Sequence, residues 1–594
     1  MEWLRELGYT HCFFVAGGNI MHLLDGARSR FVCVPTVHEV AAGIAVEYFN
    51  AADGPGRAFA LVTAGPGVTN VITALAGAYL ESRELLVVAG QVKSSDLARG
   101  LRQRGIQEVD GVALARPVCV HAERIERPIG REAFARAIER GRTGRKGPVF
   151  LEFCLDAQGA PVPRDEPPVT ASREPHVPAA GGAAELERAA RAAVPEVARL
   201  LAAASRPIVL LGGGVSRVAA AAALPDLRRI GVPVQTTWNG IDRIGADEPI
   251  FAGRPNTWGQ RFANVLIQQA DLVIALGTRL GLQQTGFNWR QFVPAGTLVQ
   301  VDVDPAELAK GHPRVDLAIR ADAAAFLREL VRRDYPDYSP WRAFCAHVKA
   351  RLPLAESANA VRPGYVNPYA FYAALSRLAR ADDAIVPCSS GGANSTAFQS
   401  LKQKAGQLIL ADKGLASMGY GLAGAIGMAY AWPQKRVLLI EGDGGFAQNA
   451  QELATVRVGS LNVKTFVFAN EGYASIRTTQ KNYFGGAYVG CDVRTGLGFP
   501  DWERLFAAYG IPASTLAPDF ESDAGFVREL ESPGPRAFVV PVDPEQTYYP
   551  KISSRVTASG GMESDPLHLM TPELEPDVAG DVLRYLQAVP ALAP

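Results

Sequence analysis

Short apolar runs alternate with helical patterns along the whole chain. AFALVTA, ELLVVAGQV, GPVFLEF, PIVLLGGG, DLVIALG, TLVQVDVD, RVLLIEGDG and VKTFVFAN are all of strand length and rich in Val, Ile and Leu. Most of them close on Gly, Asp or Asn. Strands of this kind, alternating with helices, imply parallel sheets whose ligands gather at the carboxyl ends of the strands. The pattern predicts an α/β fold of three doubly wound parallel-sheet domains.

Two stretches break the rhythm. APVPRDEPPVTASREPHVPAAGG, within residues 156–190, is rich in Pro, Gly and polar residues and reads as a linker at 161–189. Residues 336–364 read as a second linker, helical in pattern but weakly apolar, and end near RPGYVNPY. There Asn367 caps a helix with Pro368 at its first position, and Phe371, Ala374, Leu375 and Leu378 form its buried stripe. The expected domains are therefore 1–160, 190–335 and 365–550, followed by a tail at 551–594. The first and third could share one architecture.

Composition narrows the function classes. The chain has 594 residues, enough for about three to four domains of ~100–200 each. Lys+Arg and Asp+Glu both number 60, so net charge is zero and there is no electrostatic case for nucleic-acid or membrane binding. Low net charge also gives little colloidal protection, which suits a defined oligomer. The seven cysteines (Cys12, Cys33, Cys119, Cys154, Cys345, Cys388 and Cys491) are widely spaced and form no CxxC pair. They read as reduced thiols of a cytoplasmic protein. MEWLRELGYTHCFF lacks the basic start and long apolar core of a signal peptide, and no apolar run approaches the ~20 residues that span a bilayer.

The most informative segment is RVLLIEGDGGFAQNAQELATVRVGSLNVKTFVFANEGY. One strand delivers Gly442-Asp443-Gly444, and after a helix at 451–458 a second strand delivers Asn470-Glu471-Gly472. A carboxylate, a side-chain amide and a free carbonyl at neighbouring strand ends are hard oxygen ligands suited to Mg²⁺. Glycines at 442, 444 and 445 would let backbone N–H groups approach phosphate. A lone GDG would be only a turn, but the whole strand–GDG–helix–strand–Asn unit is more than that.

GDG, 25 residues (445–469) and then Asn470 resembles the metal–diphosphate signature of thiamine-diphosphate (ThDP) enzymes. The resemblance implies that Asp443, Asn470 and the Gly472 carbonyl bind Mg²⁺. GLASMGYGLAGAIGMAY is similar to the family's cofactor-supporting turn, and Met418 stands where relatives place the apolar residue that wedges the cofactor into its bent shape. In the first domain, FVCVPTV runs into His38-Glu39, and Glu39 matches the family's glutamate that hydrogen-bonds N1′ of the aminopyrimidine. A carboxyl that is to hold a proton there needs burial to disfavour its charge. By itself Glu39 would be an ordinary acid at a helix N-terminus.

AGPGVTN (64–70, with Gly65 and Asn70), GQV (90–92) and IQEVD (106–110) follow at the spacing of the acetolactate synthase-like branch, where such loops line cofactor and substrate. Gln107 is the expected substrate contact. Ile106 replaces the branch's usual phenylalanine, and only MEWLRELGY remains of its opening helix. In that branch the central domain holds FAD, and the matching segments are GGG (Gly212, Gly213), TTW (Thr237), GTR (Gly277, Arg279), VDVD (Asp302) and RAD (Asp322). Arg217 breaks a dinucleotide GxGxxG, while Arg279 suits a flavin diphosphate. Such a flavin would be structural.

The domains thus resemble a pyrimidine-binding, a central FAD-type and a diphosphate-binding domain. The family's cofactor lies between the first domain of one subunit and the third of another, so a homodimer or homotetramer is expected. The resemblance implies decarboxylation of a 2-keto acid, pyruvate first, and transfer of the two-carbon unit to an acceptor. Acetolactate synthases hold the second keto acid with an arginine in Asp-Asp-Arg beyond GxR, but here the stretch is Gly281-Leu282-Gln283. Val120 also stands where those synthases carry a lysine. GTRLGLQQTGFNW and TTQKNYFGGAYVGCD look like the ThDP flavoenzymes that build two-carbon-branched deoxysugars. Gln283, Gln284, Asn288 and Trp289 would suit a nucleotide-linked ketosugar. The alternatives are an acetolactate synthase or related pyruvate-using enzyme, and a non-catalytic protein that kept the fold.

Overall fold

The computed structural model describes residues 1–162, 182–556 and 562–586. Most of the predicted PVPRDEPPVT linker lies outside the described residues. The strand–helix alternation yields three sheets, and every pairing within them is parallel. The first holds β1 (Tyr9–Phe14), β2 (Val32–Pro35), β3 (Arg57–Val62), β4 (Leu85–Gln91), β5 (His121–Ile125) and β6 (Pro148–Cys154) in the order β2-β1-β3-β4-β6-β5. The second holds β7 (Pro207–Leu211), β8 (Val234–Thr236), β9 (Leu272–Leu276), β10 (Thr297–Asp302) and β11 (Leu317–Arg320), ordered β11-β10-β9-β7-β8. The third holds β12 (Ala384–Val386), β13 (Leu408–Ile409), β14 (Val437–Gly442), β15 (Val463–Ala469), β16 (Ala513–Thr515) and β17 (Arg536–Pro541). Its order, β13-β12-β14-β15-β17-β16, repeats that of the first sheet strand for strand.

The sheets fall into two compact units. One contains the described residues up to 162, with Asp382–Ala393 and Leu408–Pro541, and so joins the first and third sheets. Its core is shared: helix Glu39–Ala51 crosses helix Tyr420–Ala431 so closely that a Cβ on Gly427 would lie 2.1 Å from the Ala45 carbonyl oxygen. Beside this crossing lies a buried polar cluster. Tyr420 donates to Glu47 at 2.6 Å, Arg83 donates to Glu47 at 2.8 Å and to the Ala411 carbonyl at 2.7 Å, and Glu81 accepts the Lys413 N–H at 2.6 Å.

The other unit contains the described residues 182–381, with Asn394–Gln407 and 542–586. Here three sequence expectations are corrected. Helix Ala183–Ala203 begins inside the expected linker, because Leu186, Ala190, Val194, Val197, Ala198 and Leu201 recur at helical spacing and are buried. Residues 336–364 are not merely a linker, since helix Ser339–Arg351 buries Trp341, Phe344, Cys345 and Val348. The tail is integrated as well. Strands Lys551–Ile552 and Met570–Thr571 pair, Arg261 donates to the Met570 carbonyl at 3.0 Å, and Gln269 to the Val582 carbonyl at 2.9 Å. Asn367 caps helix Pro368–Leu378 as expected, accepting from the Tyr369 N–H at 2.9 Å. None of the seven cysteines, all of them described, is in a disulfide, and among the described residues no helix is long and apolar enough to cross a membrane.

Candidate active site

Strand β14 carries Asp443 to its carboxyl end, where the side chain is buried. Its Oδ1 accepts the Gly444 N–H at 2.7 Å, and Oδ2 accepts those of Asn470 at 2.9 Å and Gly472 at 3.2 Å. Burial pushes this carboxyl up to about 7, against the pull of the three backbone donors and of Arg477. Strand β15 delivers Asn470, after which Glu471 (φ 61°) and Gly472 (φ 141°) turn the chain back. Only glycine fits at 472, because a Cβ there would lie 2.0 Å from the Cys491 carbonyl oxygen.

The end of the Asn470 side chain stands against two acceptors, Asp443 Oδ1 at 3.2 Å and the Gly472 carbonyl oxygen at 2.6 Å. With the amide oxygen turned toward them, three oxygens converge with no proton between them, an arrangement that a hard cation relieves. With the amide reversed, Nδ2 donates to both. The three predicted metal ligands are thus brought together, and the donor set fits Mg²⁺.

The three predicted phosphate glycines are small for different reasons. A Cβ on Gly442 would meet nothing within 4 Å, which leaves open space for an anion. A Cβ on Gly444 would lie 2.2 Å from Tyr473, and one on Gly445 would lie 2.9 Å from Glu441. Packing therefore also requires glycine at 444 and 445. Met418 is 38% exposed, so it is not a core methionine. Gln448 Nε2 lies 3.6 Å from its sulfur, and Asn449 donates to the Gly419 carbonyl at 2.7 Å.

In the same unit, β2 leads into helix Glu39–Ala51. His38 is its N-cap, with Nδ1 accepting the Val40 N–H at 3.2 Å. Glu39 is the first helical residue and is buried, and its Oε2 accepts from Asn70 Nδ2 at 3.0 Å. Asn70 sits on helix Pro66–Glu81, whose N-cap Gly65 has φ 65°. A Cβ at Gly65 would lie 2.3 Å from the Gln107 carbonyl oxygen, so the two loops predicted to line the site are packed together. Gln107 is exposed, with φ 62°.

In the second unit, the loops after β7 and β9 meet backbone to backbone. Gly214 N–H donates to the Gly277 carbonyl at 2.9 Å, and a Cβ on Gly212 would lie 2.2 Å from that same oxygen, while one on Gly213 would meet Asn239 at 3.4 Å. Thr237 is buried, and its N–H donates to the Leu211 carbonyl at 3.0 Å. Thr236 Oγ1 and Gln300 Oε1 are buried without a protein partner. Asp302 is pushed up to about 6 by burial, with its Oδ1 accepting the Asp304 N–H at 2.9 Å, and Arg279 is exposed. Asp322 caps helix Ala323–Val331, accepting the Ala325 N–H at 2.7 Å, so it also has a structural task.

The expected acceptor residues divide in the same way. Gln284 is buried and donates to the Pro255 carbonyl at 2.7 Å. Gln283 is exposed, and the Trp289 ring lies 5.8 Å from that of His312.

Sequence reasoning passed over two buried acids. Glu441 closes the otherwise apolar β14, and its side chain packs against Gly421 beneath the start of helix Tyr420–Ala431. Burial pushes it up to about 8 against the backbone N–H groups of Gly421, Leu422 and Gly419. An acid ending an apolar strand was the available signal. Glu452 carried none, since the two backbone amides it accepts lie more than 400 positions away.

The chain belongs to the thiamine pyrophosphate enzyme family. Residues 1–114 match its N-terminal TPP binding domain, 194–330 its central domain and 389–540 its C-terminal TPP binding domain. The chain is 31% identical over 589 residues to a probable acetolactate synthase 2, chloroplastic, of Oryza sativa subsp. japonica, covering 93% of this chain and 84% of that protein. It is 29% identical to a probable acetolactate synthase large subunit of Methanocaldococcus jannaschii (91% of each chain). It is also 28% identical to the acetolactate synthase isozyme 1 large subunit of Escherichia coli (93% and 94%). It is an acetolactate synthase-like, thiamine-diphosphate-dependent enzyme.

Proposed function

We propose that this chain is a ThDP- and Mg²⁺-dependent carboligase that decarboxylates pyruvate and joins its two-carbon unit to a second 2-keto acid. The observation that carries this reading is the convergence of the Asp443 carboxylate, the Asn470 side-chain amide and the Gly472 carbonyl at two neighbouring strand ends. When bound, ThDP supplies the carbon that attacks the keto group and the electron sink that decarboxylation requires. Asp443, Asn470 and the Gly472 carbonyl would hold the metal, and the open face of Gly442 would admit the diphosphate. Met418 would prop the cofactor from its exposed position. Glu39 would hold the proton at the aminopyrimidine N1′, steered by Asn70, while Gln107 would face the substrate.

The names of the relatives favour a keto acid as acceptor. A second reading, a ketone on a nucleotide-linked sugar, is favoured by one observation: residues 281–289 carry no charged side chain to meet a carboxylate. Pyruvate supplied alone and with a panel of 2-keto acids and nucleotide-linked ketosugars, with products identified by mass, decides between them. Acetolactate from pyruvate alone supports the first reading. Its absence, with a sugar adduct formed, establishes the second, and no CO₂ release with any acceptor refutes both.

The central residues also fit an FAD held for structure. The glycine cradle at 212–214 and 277, the unpartnered Thr236 and Gln300 oxygens and the exposed Arg279 suit a diphosphate and its polar neighbours. Flavin absorbance of the purified protein tests this. Oligomerisation follows the family pattern and is supported by exposed Met418, Ile476, Phe484 and Val489 in the unit that holds Asp443. A monomer at micromolar concentration in sedimentation would overturn it.

A further inference from the structure

The segment that follows Asp443 runs from the candidate metal ligands, past Met418, to the junction that precedes Glu39. Asp443 itself lies among the metal ligands. Gln448 and Asn449 contact Met418 and the Gly419 carbonyl, and Gln451 donates to Asn449 Oδ1 at 2.8 Å. The segment ends at Glu452, which is fully buried. Glu452 Oε1 accepts the N–H groups of Val37 at 3.1 Å and His38 at 3.0 Å, and Oε2 accepts Val37 N–H at 3.2 Å and Thr455 Oγ1–H at 2.8 Å.

Val37 and His38 are the two residues before Glu39. Two consecutive N–H groups in an irregular junction have no place in a sheet or helix ladder, and without Glu452 they would be left without an acceptor. The rest of the junction is held more locally. Thr36 N–H donates to the Phe14 carbonyl at 3.0 Å, and Thr36 Oγ1–H to the His38 carbonyl at 3.1 Å. Glu452 is therefore what ties the junction to the segment that begins at Asp443, while Asn70 fixes the far end of the Glu39 side chain.

We propose that Glu452 is a positioning residue for Glu39: its carboxylate, gripping the Val37 and His38 amides, fixes the junction that presents the catalytic carboxyl. This rests on the proposed action of Glu39. A displacement of about 1 Å at a reacting group costs up to ~100-fold in rate, so the effect should fall on turnover and leave cofactor binding nearly intact.

The test uses the full-length protein with Mg²⁺ and ThDP. In Glu452→Ala we expect kcat to fall about 10–100-fold, with ThDP affinity by calorimetry within about threefold of wild type. Glu452→Gln, which keeps an acceptor oxygen, should recover much of the loss and remains informative if the alanine variant does not fold. Without cofactor, hydrogen exchange by mass spectrometry should show faster exchange in a peptide covering residues 36–41 of the alanine variant. Wild-type turnover in a folded Glu452→Ala protein, or unchanged exchange at 36–41, overturns the proposal. So does a loss of ThDP affinity as large as the loss of turnover. Glu39→Gln keeps the two readings apart. If it is active, the reading of Glu39 fails and takes this role with it. If it is dead while Glu452→Ala is fully active, only the role of Glu452 fails.

Discussion

Replacing Asp443 with asparagine removes one charge and converts one of two acceptor oxygens into a donor. Oδ2 serves two backbone N–H groups and Oδ1 serves one, so the surviving oxygen keeps two bonds at best and the new NH₂ then faces the Gly444 N–H. Losing one hydrogen bond to a charged group costs about 1.5–3 kcal/mol. An opposing effect acts in the metal-free protein: burial already pushes this carboxyl up to about 7, so a neutral amide escapes a desolvation cost that the carboxylate bears. The two effects are of similar size, and the variant should fold with a melting midpoint near that of metal-free wild type. Cofactor binding has no such compensation, because the metal needs the anion. A deficit of about 1.5–3 kcal/mol is ~10–100-fold in affinity at ~1.4 kcal/mol per decade. Calorimetric titration of ThDP with saturating Mg²⁺ measures it directly. Thermal melts with and without both ligands check it, since a ligand that binds only the folded state raises the midpoint. Wild-type Mg²⁺-dependent ThDP affinity in the folded variant would refute the ligand assignment.

Glu39→Gln should lower turnover by at least ~100-fold, the usual contribution of a positioned proton-transfer group, and keep ThDP affinity; near-normal CO₂ release would remove Glu39 from the chemistry. Gly427→Ala drives a Cβ into the backbone carbonyl of Ala45, 2.1 Å away, and should destabilise by about 1–3 kcal/mol; an unchanged melting midpoint would show that the helix crossing is looser than the structure has it. Glu47 has its carboxyl pushed by burial from 4.5 up to about 8, against the pull of Arg83 and Tyr420. It thus takes up a proton on folding. Its contribution to stability is complete below about pH 4.5 and is lost as the pH rises toward 8. Glu47→Gln should flatten the fall of the melting midpoint across that window, and a slope as steep as wild type would refute the assignment.

The chain's apolar runs determined the class of fold, because parallel strands covered on both faces are near-continuously apolar and must be joined by helices. The candidate metal ligands were also written locally. Asp443, Asn470 and Gly472 are fixed at strand ends by the lengths of β14, β15 and the helix between them, and Asn367-Pro368 starts its helix by capping alone. What the sequence did not determine is every feature that depends on two distant segments meeting. Glu452 finds the Val37 and His38 amides, Gly427 is small because Ala45 lies against it, and Gly444 because Tyr473 does. Asp322 and Gln284 have polar side chains that a motif assigns to ligands, yet each has a backbone group of the protein within reach and is engaged by it. Local pattern fixes which face of an element is buried. Only the packed chain decides which buried polar group meets which, because the cost of leaving one unpaired is settled by whatever neighbour the tertiary fold brings to it.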